Sequence, residues 1–380
     1  MPTTLTARRL LTEHGQIDFP VLTLEEGFIR SIEPGAPNSS RETLTASFLD
    51  IHVHGACSHD FMAATTAEIA SVGAFLASRG VAHYLPTTVT GPLDLSLRAL
   101  ETLANAIENP LACQADKPVA LPVGIHLEGP FVSHVKRGAH PAASILEPSI
   151  ALFDRFQQAA RGRIRLLTLA PELPHALDLI QHATASGVRV TLGHSNATAP
   201  ETLAAIAAGA TSATHLFNAM RPLDHREPGI VGTILDRDDL YAEAICDGVH
   251  VDPVLIRLWL KMKGGDRAIL VTDGMSATGM PDGTYTLGDF PVELKDGVCL
   301  SGGTLAGSVL TMDKAVDNLQ RFTGSSLATA VQLASRNPAQ MLGMPDLARI
   351  APGLPANFNL YNEAGERSGS ILRGHRIERR

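Results

Sequence analysis

The chain has 380 residues, 31 basic and 39 acidic side chains, a formal net charge of -8, and 44% hydrophobic residues. That length and apolar content suit one large α/β barrel or two ordinary domains. The acidic balance argues against a general nucleic-acid surface, which needs a basic footprint. Cys57, Cys113, Cys246 and Cys299 form no C-x-x-C pair, so neither a thiolate zinc cage nor a dithiol redox motif is indicated, and a reducing compartment is expected.

At the N-terminus, the basic pair Arg8-Arg9 has no long apolar run behind it. No signal peptide and no membrane span is predicted, which makes a cytoplasmic protein the expectation. Short alternating runs at 5–10, 19–24 and 27–32 are broken by Gly15, Pro34, Gly35 and Pro37 and read as small antiparallel strands. From Ala46 the pattern changes to strand then helix, repeated. Strands are predicted at 46–54, 81–89, 121–127, 164–169, 188–192, 212–216, 241–246 and 268–271. Amphipathic helical stretches lie between most of them, at 65–78, 93–107, 174–185, 199–208 and 253–262. Eight such units favour a closed (β/α)8 TIM-like barrel, with a doubly wound sheet as the alternative. Further helices are predicted at 310–322 and 326–335, with a short one opening at Asn337. Beyond Gly353 short strands return, at 357–361 and 369–372. The two chain ends are therefore expected to pair, residues 1–45 and 350–380 forming a small β-sandwich domain and 46–349 the catalytic barrel.

Chemistry in such a barrel collects at the C-terminal ends of the strands. The first strand ends in His52-Val53-His54. Strand side chains alternate between faces, so both imidazoles project together and can share one metal ion. The third strand ends in His126-Leu127-Glu128, the fifth in Gly193-His194-Ser195, and the sixth carries Thr214-His215-Leu216. The seventh runs into Asp247-Gly248-Val249-His250 and the eighth into Thr272-Asp273-Gly274. Each residue alone has an ordinary structural reading, as a core histidine or a turn carboxylate. Their joint occurrence at one rim points to a metal centre.

The segments His126–Phe131, Gly193–Ser195, Thr214–Met220, Arg226–Gly229 and Asp247–His250 closely resemble N-acetylglucosamine-6-phosphate deacetylases, members of the amidohydrolase superfamily. Thr272–Gly274 and Leu305–Ser308 fit the same family, and the resemblance covers almost the whole chain. It implies that Glu128, His194 and His215 hold a principal divalent metal, most simply zinc, with iron or manganese also suited to that ligand set. Family members that keep H-x-H hold two metals and those that lack it hold one, so His52 and His54 imply a second ion. Asp273 is implied as the proton carrier, taking a proton from the attacking water and returning it to the leaving amine. The substrate would be a phosphorylated N-acetyl amino sugar. Arg226 and His250 would meet its phosphate, with the backbone at Asn218 and Ala219. Ala139, His140, Ala306, Gly307 and Ser308 would line the sugar pocket. A homodimer is implied, in which Arg226 and His250 serve either their own chain's site or that of the neighbouring subunit. His126 is placed to support the metal site from behind. No lysine is positioned for a carbamate bridge, Lys136 falling in the loop 132–141, which reads as a flap. The competing reading is another amidohydrolase, such as an N-acetylgalactosamine-6-phosphate deacetylase or a cyclic-amide hydrolase.

Overall fold

The computed structural model describes residues 2–110 and 118–378; Cys113 lies outside them. Eight parallel strands follow one another around a barrel. They are β1 (Phe48–Val53), β2 (Val81–Thr88), β3 (Ile125–Glu128), β4 (Ile164–Leu169), β5 (Arg189–Leu192), β6 (Ser212–Ala213), β7 (Tyr241–Ile245) and β8 (Ala268–Val271). Most of their residues are buried, as expected when helices cover one face and the barrel interior the other. The sixth strand is shorter than the sequence suggests, because the chain leaves extended geometry before His215, whose φ is 27°.

Neighbouring strands pair by parallel ladders, with register shifts in the β1–β2 and β3–β4 pairs, everywhere except at the closure. There the chain just past β8 meets the end of β1, through a single parallel bridge between Val53 and Gly274. Main-chain bonds from Asp273 N to His52 O (2.8 Å) and from His54 N to Gly274 O (2.7 Å) complete the seam. The H-x-H and T-D-G segments are thereby adjacent.

Helices cover the barrel, and several of them open on a side-chain cap. Thr65 and Glu68 form a capping box on α1 (Thr66–Ser78), and Thr198 and Glu201 do the same between α2 (Leu93–Glu108) and the later helices, at residues 199–208. Asp252 caps the helix Pro253–Arg267, which also opens on proline, a favoured first residue. The helices Ile150–Ala159 and Gly229–Asp236 complete the ring at places where the sequence reading marked none.

Strands from both chain ends build a flanking sandwich. A three-stranded sheet joins Thr3–Thr6, Pro20–Glu25 and Phe28–Pro34. A six-stranded sheet pairs Phe358–Tyr361 antiparallel with Thr43–Ala46, joining the two ends of the chain. Leu10, Leu22, Ile29, Leu44, Phe358 and Ile371 form a core of their own between them. A further antiparallel sheet, Gly283–Leu287, Phe290–Lys295, Val298–Ser301 and Thr304–Leu305, lies between β8 and the next helix. The sequence reading did not mark it, although Asp296-Gly297, with φ of 50° and 79°, makes the tight turn that this dipeptide favours.

Candidate metal centre and active site

Glu128, the last residue of β3, is the hub of the site. Its Oε1 lies 3.2 Å from His215 Nε2, 3.3 Å from His194 Nε2 and 3.4 Å from His52 Nε2. Its Oε2 lies 3.2 Å from His54 Nε2. Asp273 Oδ1 is 3.2 Å from His54 Nε2 and 3.5 Å from His52 Nε2. All six side chains are buried.

The outer nitrogens of these rings fix which tautomer faces inward. His194 Nδ1 is 3.2 Å from Lys136 O, and His54 Nδ1 is 3.2 Å from Thr87 O. A carbonyl only accepts, so each Nδ1 carries the hydrogen and each Nε2 of the neutral ring presents a lone pair. His194 and His215 bring their Nε2 atoms within 3.1 Å of each other, an arrangement a shared cation would relieve. His52 Nε2 is buried without a hydrogen bond. A tetrahedral ion with bonds of about 2.0–2.1 Å spaces its donors about 3.3 Å apart. The triangle of Glu128, His194 and His215, with edges of 3.1 to 3.3 Å, fits that spacing.

The electrostatics make the same demand. Burial pushes the Glu128 carboxyl up, but His52, His194 and His215 outweigh it and hold it well below the usual carboxylate range. Asp273 is likewise raised by burial and more strongly lowered by His52 and His54. Burial disfavours a proton on His54, yet Asp273 and Glu128 push its imidazole up to about 9. Two buried carboxylates thus draw positive charge to the point between the rings, where a divalent ion would sit.

Three of these residues stand at unusual backbone angles, with φ of 50° at His194, 27° at His215 and 51° at Asp273. Non-glycine residues rarely adopt this region, and it clusters at functional sites. Fixed neighbours hold each one. Ser133 N donates to His194 O (2.9 Å), Ser308 N donates to Asp273 O (2.7 Å), and His215 N donates to Glu243 Oε2 (3.3 Å). Beneath the centre the barrel interior carries threonine. His126 Nε2 meets Thr168 Oγ1 at 2.7 Å, Thr168 continues to Thr214 (2.9 Å), and Thr214 in turn donates to Thr191 (3.0 Å). Burial and His52 keep His126 far from taking a proton. Gly193 belongs to this floor, since a Cβ there would come within 2.7 Å of Thr214 Cβ.

Above the centre opens a cavity of about 300 Å³. Ala139, His140, Asn218, Ala219, His250, Ala306 and Gly307 line it together with Glu128, His194, His215, His54 and Asp273. Leu287 and Phe290, from the unforeseen sheet, add an apolar wall. Two expected residues are placed otherwise. Ser308 turns its hydroxyl away, donating to Thr272 O (2.6 Å) and accepting from Leu310 N (2.9 Å), so it braces the Asp273 turn. Arg226 is exposed on the loop 221–228 and does not line this chain's cavity. The loop 132–141 is tied to His194 through Ser133 and Lys136, so lysine contributes there by its carbonyl. The sequence reading missed Glu243 and Asp50. Both are fully buried, Asp50 accepting from Thr272 and pushed up to about 6 by burial. A charged residue inside a strand read as apolar was the available signal.

Inward-facing imidazoles and carboxylates gathered at the C-terminal mouth of a parallel barrel are the arrangement of a metal-dependent hydrolase. The sequence profile of the amidohydrolase family matches residues 43–375, and the chain belongs to that family. Within it the chain falls among the N-acetylglucosamine-6-phosphate deacetylases and their kin. It is 40% identical over 358 residues to the N-acetylgalactosamine-6-phosphate deacetylase of Escherichia coli O157:H7, covering 93% of each. To the N-acetylglucosamine-6-phosphate deacetylase of Bacillus subtilis (strain 168) it is 35% identical over 377 residues, covering 96% of this chain and 94% of the other. The Mycobacterium smegmatis N-acetyl-D-glucosamine-6-phosphate deacetylase, solved as a variant in complex with N-acetyl-D-glucosamine-6-phosphate, superposes with a TM-score of 0.92 at 33% identity over 99% of both chains.

Proposed function

We propose that the chain hydrolyses the N-acetyl group of N-acetylglucosamine-6-phosphate, giving glucosamine-6-phosphate and acetate. The observation that carries this reading is Glu128 ringed by inward-facing imidazoles, with Asp273 beside them at the floor of the cavity. Two divalent ions, zinc by preference, would be held: one by Glu128, His194 and His215, the other by His52, His54 and Glu128. Such ions make water a nucleophile near neutral pH and polarise an acyl oxygen. Asp273 takes the proton from the attacking water as the C–O bond forms, then delivers it to nitrogen as the C–N bond breaks. Ala139, His140 and the Ala306-Gly307 backbone hold the sugar, the backbone at Asn218 and Ala219 meets the phosphate, and Leu287 and Phe290 keep water from the acyl methyl. His250 faces the cavity, with its Nδ1 2.6 Å from Asp247 Oδ2. Burial disfavours its proton, but Asp247 outweighs that and raises its pKa, which suits it to a phosphate. Arg226, exposed outside its own cavity, serves the neighbouring subunit of a homodimer.

A second reading, the galacto epimer as substrate, is favoured by the 40% identical relative. Steady-state rates on both epimers, each with and without the 6-phosphate, decide between them. The phosphate should raise kcat/KM by roughly 10–100-fold, the worth of a charge-assisted hydrogen bond. Preference for the galacto sugar moves the assignment to the second reading. Indifference to phosphate removes both.

A further inference from the structure

Glu243 lies in β7 between Ala242 and Ala244 and is fully buried. A carboxylate in a dry interior is costly unless positive charge or strong donors stand close. No lysine or arginine pairs with it among the described residues. Its Oε2 is 3.3 Å from His52 Nδ1 and accepts from His215 N at 3.3 Å, while Oε1 has no hydrogen bond. Burial of this group makes sense if positive charge arrives on the far side of the His52 ring. There His52 Nε2 waits beside Glu128 and Asp273 without a hydrogen bond.

The inward-facing histidines differ in what stands behind them. His54 and His194 rest on the carbonyls of Thr87 and Lys136, and His215 Nδ1 has no partner. His52 is the one backed by a carboxylate. A carboxylate behind a ligating imidazole fixes the tautomer and raises the basicity of the opposite nitrogen. We propose that Glu243 is a positioning residue for the second metal, holding the proton of His52 on Nδ1 and so setting the affinity of the His52–His54 site. Its contact with His215 is to the main chain, so the Glu128–His194–His215 site depends on it less. The inference rests on the reading that His52 and His54 hold a metal.

The test is metal stoichiometry and affinity by equilibrium dialysis of the full chain against graded Zn²⁺ buffers, with elemental analysis. Wild type should take up two ions. Glu243→Ala should weaken the second by about 10–100-fold and leave the first within a few-fold. Glu243→Gln keeps an acceptor oxygen without the charge and should fall between. Cobalt substitution gives a readout independent of turnover, since absorption changes should be confined to the second equivalent. Two ions held as tightly as in wild type by folded Glu243→Ala, or an equal loss of both, overturns the proposal. Should that variant not fold, Glu243→Gln with an unaltered second affinity overturns it. A wild type that saturates at one ion removes the two-metal reading as well, a result distinct from either variant outcome.

Discussion

Asp273→Asn separates proton transfer from ligation. Asparagine tolerates the left-handed backbone region better than most residues, so the φ of 51° at this position is kept. The main-chain bonds to His52 and Ser308 do not involve the side chain and persist. The amide retains one oxygen that can point at His54, 3.2 Å away in the carboxylate form. What disappears is the acceptor for the water proton and the acid for the leaving amine. Losing general acid–base catalysis removes about 10²–10⁴-fold from kcat, or about 3–5 kcal/mol of barrier lowering. Acetate release under saturating substrate measures kcat, elemental analysis verifies metal content, and calorimetry with substrate measures binding. A fully loaded variant turning over within threefold of wild type would refute the proton role. Loss of metal alongside loss of rate would assign the effect to ligation.

Replacing both His52 and His54 with glutamine should release one ion per chain and leave the other, read by elemental analysis; release of both would show one shared centre. Arg226→Ala chains mixed with Asp273→Asn chains should regain about a quarter of wild-type activity if each arginine serves its neighbour, because half the dimers are hybrid with one competent site. No recovery, with hybrids shown to form, places Arg226 in its own chain's service. His83, packed between barrel and sandwich, is pushed down to about 4 by burial and by Arg373. An unfolded imidazole binds its proton near 6.5, so between those values the unfolded state holds more protons, and stability is lost as pH falls through that window. His83→Gln should lessen that loss by at most about 3 kcal/mol, measured by urea unfolding at pH 7 and pH 4.5; identical pH slopes would exclude His83 as the source.

Much of the site could be read from sequence because its parts sit where a repeating fold puts chemistry. His52, Glu128, His194, His215 and Asp273 each fall at a predicted strand end, and the barrel gathers strand ends into one rim. The join of the two chain ends was legible for a similar reason, since leftover alternating strands need partners. What stayed hidden depends on three-dimensional neighbours. Glu243 looks like a stray charge in an apolar strand until β7 is set beside β6 and across from β1. Ser308 reads as a pocket residue, but whether its hydroxyl faces substrate or backbone is decided by the turn at Asp273. The sheet at 283–305 carried an Asp-Gly turn signal of the usual kind.

The closure of the barrel has an implication for how the protein breathes. The first and last strands are joined by a few bonds made just past the end of β8, and those bonds involve residues that would grip metal and move protons. Ions held by His52, His54 and Glu128 would act as a clasp across this seam, coupling loading to barrel integrity. Stripping the ions should then speed deuterium uptake first at the amides of His54 and Asp273, and heat should spring the staves apart there before elsewhere.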